Sequence, residues 1–240
     1  MSTLPERIIW MNGLPRSGTS WLCQIVDSSP HVEFRMAPLF SFQFRNKMLP
    51  MDPEDKWRKF FVDVYASKDE WMAQLERRRI GSFPVFEDKL DLPPYLAVKD
   101  VRHHGYIGPL LELGIDFKVL HIIRDPRAAI HSWLTNPKEF PEKADPKSNW
   151  RSGKIRKINE HEFWGFDDWM KLTRYYRDLR DVYPEKVILI RYEDLVRNTR
   201  SQTKLFFGKL GLEYGDQTES FIQTSTSGNS DDPFSVFKNI

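Results

Sequence analysis

Gly13-Leu14-Pro15-Arg16-Ser17-Gly18-Thr19-Ser20 is the stretch that decides the fold. Before it stands a short apolar run, Ile8-Ile9-Trp10-Met11, and after it Trp21, Leu22, Ile25 and Val26 recur at helical spacing. The pattern predicts a strand from Arg7 to Met11, a turn through Asn12-Gly13-Leu14-Pro15 and a helix from Thr19 to Ser28. A turn between strand and helix presents backbone N–H groups and the positive end of the helix dipole to an anion. Gly18 lets the backbone approach closely, and Thr19 and Ser20 add hydroxyl donors. The G-x4-G spacing matches nucleotide-binding phosphate loops, but Thr19 stands where a triphosphate loop requires Lys. The loop's cation is Arg16 instead. This suits a single phosphate, or a phosphate with one attached group, better than a triphosphate with Mg²⁺.

Further apolar runs at Tyr95–Lys99, Phe117–Ile123 and Lys186 to Arg191 read as buried strands, with a short helix after Gly108. Asp125 is a good N-cap and Pro126 suits the first helical position, so a helix should run to about Leu134. Continuous apolar strands alternating with helices predict an α/β, P-loop-like three-layer fold: a central, mostly parallel sheet with helices on both faces. Ligands in such folds bind at the C-terminal ends of the strands. Residues 1–240 read as one domain with inserts near 37–94 and 140–158. The aromatics of the first, Trp57, Phe60, Phe61, Tyr65 and Trp71, suit an acceptor pocket or the insert's own core. The second carries Lys147, Arg151, Lys154, Arg156 and Lys157 and reads as a solvated flexible loop, an anionic-acceptor surface being the alternative.

Composition narrows the class. The chain has 240 residues and a net charge of +2, which argues against a nucleic-acid or membrane footprint for the whole protein. A single cysteine, Cys23, excludes an internal disulfide framework and a four-cysteine zinc site. No apolar run approaches the ~18 residues of a membrane span, and Met1 to Pro5 lacks a signal-peptide pattern. The expectation is a cytoplasmic globular protein.

Pro15-Arg16-Ser17-Gly18-Thr19-Ser20-Trp21-Leu22 resembles the 5′-phosphosulfate loop of sulfotransferases that use 3′-phosphoadenosine 5′-phosphosulfate as donor. Ile123-Arg124-Asp125-Pro126-Arg127-Ala128-Ala129-Ile130-His131-Ser132 is similar to that family's 3′-phosphate motif. Ile190-Arg191-Tyr192-Glu193-Asp194-Leu195 is like the strand end that supplies an adenine-side aromatic. The order and separations of all three agree, and they span Arg7 to about Leu195. The resemblance implies that Arg16, Ser17, Gly18, Thr19 and Ser20 hold the 5′-phosphosulfate. Arg at position 16 looks more like the carbohydrate-type and bacterial branch, and its fork would steady charge on the bridging oxygen as the S–O bond breaks. Trp21 matches a residue near the adenine, core packing being the equal alternative. Arg124 and Ser132 are implied at the 3′-phosphate. Independently, Ser132 lies about 9 Å up the helix that follows Arg124, at ~1.5 Å per residue, so a long guanidinium and a short hydroxyl can converge on one anion. Tyr192 would face the adenine.

The implied reaction is transfer of a sulfonate group to a hydroxyl or amine by in-line displacement with a general base, leaving 3′-phosphoadenosine 5′-phosphate. Lys99 falls where the family places a lysine that approaches the sulfonate. His has a suitable pKa for the base. Of the six histidines, His103 is preferred and His104 second, although both come two or three positions later than the family's Lys-x-His. Lys238, in a closing stretch from Ser225 to Asn239, is the candidate tail contact to the cofactor. The chain ends where the family usually continues, so a truncated C-terminus is expected. The acceptor is a small molecule, carbohydrate or lipid, and no metal is implied. Alternatives are a P-loop kinase or hydrolase and a non-catalytic nucleotide-binding protein.

Overall fold

The structure, a computed structural model, describes residues 4–227. β1 (Arg7–Gly13) is followed by α1 (Thr19–Asp27), β2 (Val32–Met36), α2 (Glu54–Ala66), α3 (Leu75–Arg79), β3 (Tyr95–Lys99), α4 (Ile107–Glu112) and β4 (Phe117–Ile123). Then come α5 (Pro126–Leu134), α6 (Pro146–Asn149), α7 (Gly165–Val182), β5 (Val187–Arg191), α8 (Tyr192–Arg197), α9 (Thr199–Leu210) and α10 (Asp216–Ser225). The five strands form one parallel sheet in the order β2-β3-β1-β4-β5. From central β1 the chain first builds one side of the sheet and then crosses to the other. That reversal leaves a crevice beyond the C-terminal ends of β1 and β4, where α/β sheets bind ligands.

Strand periodicity divides the core in two. Ile8 and Trp10 of β1, Leu96 and Val98 of β3, and Phe117 and Val119 of β4 pack against α2, α4 and α7. Their neighbours Ile9, Met11, Ala97, Leu120 and Ile122 pack against α1, α9 and α10. Each large apolar side chain removed from water in this way contributes about 1.5–3 kcal/mol, and the sandwich holds the strand ends in register.

Three departures from the sequence reading have physical causes. β2 is a strand the reading lacks. Its Val-Glu-Phe-Arg-Met sequence sends Val32 and Phe34 into the core and turns Glu33 and the buried Arg35 to the other face, so it lacks the continuous apolar run of the others. The aromatics Trp57, Phe60 and Phe61 of α2 are not the core of a separate excursion: they join the cluster that β1 and β4 bury. Nor is 140–158 a free loop. Phe140 packs with Ile130, Trp133 and Trp164, and Arg151 and Lys157 pair with Asp167 (3.0 Å) and Asp168 (2.7 Å) in the first turn of α7.

Buried charges fasten the long 37–94 segment. Arg35 on β2 donates to the carbonyls of Val64 (3.2 Å), Tyr65 (2.9 Å) and Ser67 (2.8 Å), closing the C-terminus of α2. Asp27, at the end of α1, accepts from Arg78 (2.7 Å) and Lys89 (3.1 Å).

Candidate functional site

The loop after β1 is shaped by close approach. A Cβ at Gly13 would lie 2.6 Å from the Ile122 carbonyl oxygen on β4, so only glycine lets the two strand ends converge. Ser17 N–H donates to Leu14 O (3.1 Å), closing the turn, and both Arg16 (φ 70°) and Gly18 (φ 89°) take left-handed backbone. A Cβ on Gly18 would stand 2.5 Å from the Tyr192 ring, which lies against the loop from the first residue of α8. α1 starts with no side-chain cap and no acid in its first turn. Its leading N–H groups therefore keep their positive potential.

Of the residues singled out in the sequence, Arg16, Gly18, Thr19, Ser20, Trp21, Lys99, Arg124, Ser132 and Tyr192 line one cavity of about 310 Å³ at the crevice. Arg16 Nε donates to Ser132 Oγ (3.2 Å), joining the loop to α5. Arg124 Nη1 donates to the Arg16 carbonyl (3.0 Å), and its guanidinium lies 4.5 Å from the Tyr192 ring centre. Its Nε is buried without a hydrogen-bond partner. Lys99, the last residue of β3, donates to Ser20 Oγ (2.9 Å). Desolvation lowers the Lys99 pKa; Cys23 opposes this, while Arg77 and Arg102 reinforce it. Burial raises the Tyr192 phenol against the opposing pull of Arg124. Trp21 combines both of its expected settings: it is buried, donates through Nε1 to Ser225 Oγ (3.0 Å) and still lines the cavity.

Other expected residues fall elsewhere. The Ser17 hydroxyl is buried without a partner and borders a small void with His121 and Trp169 instead of the cavity. Lys238 lies outside the described residues. His103 does not line the cavity, although Val101, two residues earlier, does. Its Nδ1 meets Asp100 Oδ2 at 2.8 Å and its ring packs on His161 and Tyr106. Burial works to raise the Asp100 pKa, but the His103 imidazole and the N–H groups of Arg102 and His103 outweigh it and hold the carboxylate low.

His104, the second candidate base, is walled in by its surroundings. It is 2% exposed, enclosed by Phe163, His121 and Tyr176, and desolvation pushes its pKa down to about 4. It belongs to a buried polar chain. Asn12 Nδ2 donates to Tyr176 Oη (2.7 Å), Tyr176 Oη meets His104 Nδ1 (2.8 Å), and Asn12 Oδ1 meets His121 Nδ1 (2.6 Å). Burial keeps His121 well below its usual range and the Tyr176 phenol well above. With both histidines neutral, His121 donates to Asn12 and Tyr176 donates to His104. The chain ties the end of β1 to β4, α7 and the turn before α4.

The sequence reading misses two features here. Glu139, five residues beyond the end of α5, is a carboxylate inside the cationic cavity, 3.7 Å from Arg16 Nε. A second cavity of about 500 Å³, lined by Met36, Glu70, Trp71, Gln74, Glu76 and Arg77, shares Lys99 with the first. Neither lies in a motif, and only folding brings them to the strand ends. A larger depression of about 630 Å³, beside Arg180, Asp181 and Lys209, sits at the N-terminal end of β5 and includes none of the loop. Among the described residues, no group of His, Cys, Asp or Glu is gathered to hold a metal, and no helix is long and apolar enough to cross a membrane.

The sequence profile of the sulfotransferase family matches residues 9–216, a span that takes in the phosphate loop, Arg124 and the Tyr192 segment. The chain belongs to the sulfotransferase family. Carbohydrate sulfotransferase 3 of Rattus norvegicus is 26% identical over 151 residues, 60% of this chain and 31% of that protein. Its Mus musculus counterpart is 27% identical over 154 residues, 60% and 32% of the two chains. The chain thus matches about a third of the length of these curated relatives. A mouse sulfotransferase complexed with PAP superposes with a TM-score of 0.54 at 15% identity, covering 94% of this chain and 66% of that one. The sulfotransferase domain from the curacin biosynthetic pathway gives 0.51 at 16%, covering 90% and 77%. The central parallel sheet flanked by helices is the fold of these sulfotransferases.

Proposed function

We propose that this sulfotransferase-family chain transfers a sulfonate group from 3′-phosphoadenosine 5′-phosphosulfate to a hydroxyl or amine of a small-molecule, carbohydrate or lipid acceptor. The observation that carries the proposal is the meeting of Arg16 and Arg124, 108 residues apart in sequence, at one cavity over the start of α1. Two guanidiniums on separate loops suit a ligand with two separate anions. The unpartnered Arg124 Nε and the uncapped α1 fit such a ligand as well.

When bound, the donor supplies an activated sulfonate. Arg16, Gly18, Thr19 and Ser20 hold its 5′ end through side chains and first-turn N–H groups, with Ser17 contributing backbone only. Arg124 and Ser132 hold the 3′-phosphate, and Trp21 and Tyr192 flank the base. Lys99 lies between the two cavities and steadies charge on the sulfonate oxygens. The acceptor enters through the cavity beside Trp71. His103 takes the acceptor proton: the Asp100 contact fixes Nδ1–H and leaves Nε2 as acceptor. Glu70 or Glu76 is the second choice for base, because both line the acceptor-side cavity with Lys99 and His103 does not. A cytoplasmic location belongs to the same proposal and is checked by cell fractionation.

Calorimetric titration tests the donor assignment. 3′-Phosphoadenosine 5′-phosphate should bind far more tightly than ATP, with or without Mg²⁺. Equal affinity, or Mg²⁺-dependent phosphoryl transfer from ATP, would favour the kinase or hydrolase reading. Tight binding with no transfer to any of a broad panel of sugars, phenols, steroids, lipids and peptides would favour a non-catalytic binder.

A further inference from the structure

Among the described residues lining the donor cavity, three are cations, Arg16, Lys99 and Arg124, and one is an acid, Glu139. Its Oε2 is buried with no hydrogen-bond partner and stands 3.7 Å from Arg16 Nε, whose proton goes to Ser132. A carboxylate oxygen taken from water without a hydrogen bond is unfavourable unless a cation lies close, and Arg16 is that cation. Glu139 is also held in place. Its N–H donates to Asn136 O (3.0 Å), and the next residue, Phe140, is buried edge-on against Trp133 with ring centres 5.4 Å apart. The carboxylate is thus presented to the cavity by a packed anchor.

A group that binds phosphates does not gain affinity from a fixed negative charge on its wall. An anion that takes Arg16 competes with Glu139 for its charge and sits beside a like charge. We propose that Glu139 is a displaceable counterion of the donor site. This rests on the donor reading above and adds the site's regulation to it. Glu139 balances Arg16 between turnovers, weakens the binding of donor and product alike, and speeds departure of 3′-phosphoadenosine 5′-phosphate by recapturing Arg16. No covalent step is involved.

Glu139→Gln keeps the shape and removes the charge. Titration of the full chain with 3′-phosphoadenosine 5′-phosphate should show Kd falling by about three- to thirtyfold, with slower dissociation in stopped flow. The gain should shrink as salt is raised and should be absent for adenosine, which carries no phosphate; a general stiffening of the fold would not make that distinction. Glu139→Asp, which draws the carboxylate back, should fall between. If the wild type binds and Glu139→Gln binds equally or more weakly, the counterion role is wrong, and weaker binding would mark Glu139 as a contact to the ligand. If the wild type itself does not bind, the donor reading fails and takes the counterion with it.

Discussion

Arg124→Ala removes a guanidinium that donates to the Arg16 carbonyl at 3.0 Å and lies over Tyr192 at 4.5 Å. In the proposed function this group carries the preference for a 3′-phosphate. A hydrogen bond between a charged donor and a phosphate contributes about 1.5–3 kcal/mol. Two such bonds from one fork give about 3–6 kcal/mol, or on the order of 10²- to 10⁴-fold in Kd at 1.4 kcal/mol per tenfold. Adenosine 5′-monophosphate lacks the 3′ group, so its loss is limited to the slackened loop and the lost ring contact. That second loss is about 1–2 kcal/mol for a cation over a half-buried ring, roughly five- to thirtyfold in affinity and still below the loss expected for the 3′-phosphate ligand. Calorimetry with both ligands, on wild type and variant at one fixed salt concentration, reads the ratio of the two affinities. That ratio should collapse in Arg124→Ala and be only partly kept in Arg124→Lys, which retains charge without the fork. An unchanged ratio, with both ligands weakened equally, would refute the assignment.

Other substitutions probe other links. Gly18→Ala places a methyl 2.5 Å from the Tyr192 ring on left-handed backbone; it should lower stability by about 1–2 kcal/mol and weaken nucleotide binding further, checked by urea unfolding and titration. Asp100→Asn should lower kcat at least about tenfold with little change in donor KM and shift the acidic limb of the kcat–pH profile; an unmoved profile would exclude His103. Arg35→Met leaves three carbonyls at the end of α2 without their donor, so urea unfolding should show a loss of about 2–4 kcal/mol. His104 has a folded pKa of about 4 against a usual 6.5. The unfolded chain then binds more protons between those values, so stability is full above pH 6.5 and falls as pH drops towards 4, by about 3 kcal/mol at 1.36 kcal/mol per unit. His121, also held low by burial, adds in the same direction. Tm should begin to fall below pH 6.5, above the carboxylate range, whereas a flat profile from pH 7 to 5 would contradict the buried neutral pair.

Much of this was legible because it was local. Tyr95–Lys99 and Phe117–Ile123 are bounded in the structure as their apolar runs are in the sequence. Asp125 caps α5 through its contact with Arg127 N (2.9 Å), as its place before Pro126 implied. The phosphate loop, Arg124 and Tyr192 sit in short motifs at strand ends, and parallel strands bring such ends together. What escaped depends on tertiary contact. β2 alternates because one of its faces is covered through the charge of Arg35, which bonds the end of α2, and not through apolar contact. Ser17 turns its hydroxyl into the protein because the turn closes on Leu14. His103 and His104 are adjacent in sequence, yet one meets a buried carboxylate and the other is walled in by rings. Glu139 and the Trp71 cavity are placed by packing of segments that carry no motif.

The most direct test is a crystal structure of the chain with 3′-phosphoadenosine 5′-phosphate. Its 5′-phosphate should rest on the N–H groups at the start of α1 beside Arg16, with the 3′-phosphate between Arg124 and Ser132 and Glu139 turned away from Arg16. Nucleotide bound at another face, or no ordered nucleotide at saturating concentration, would contradict the account at its root.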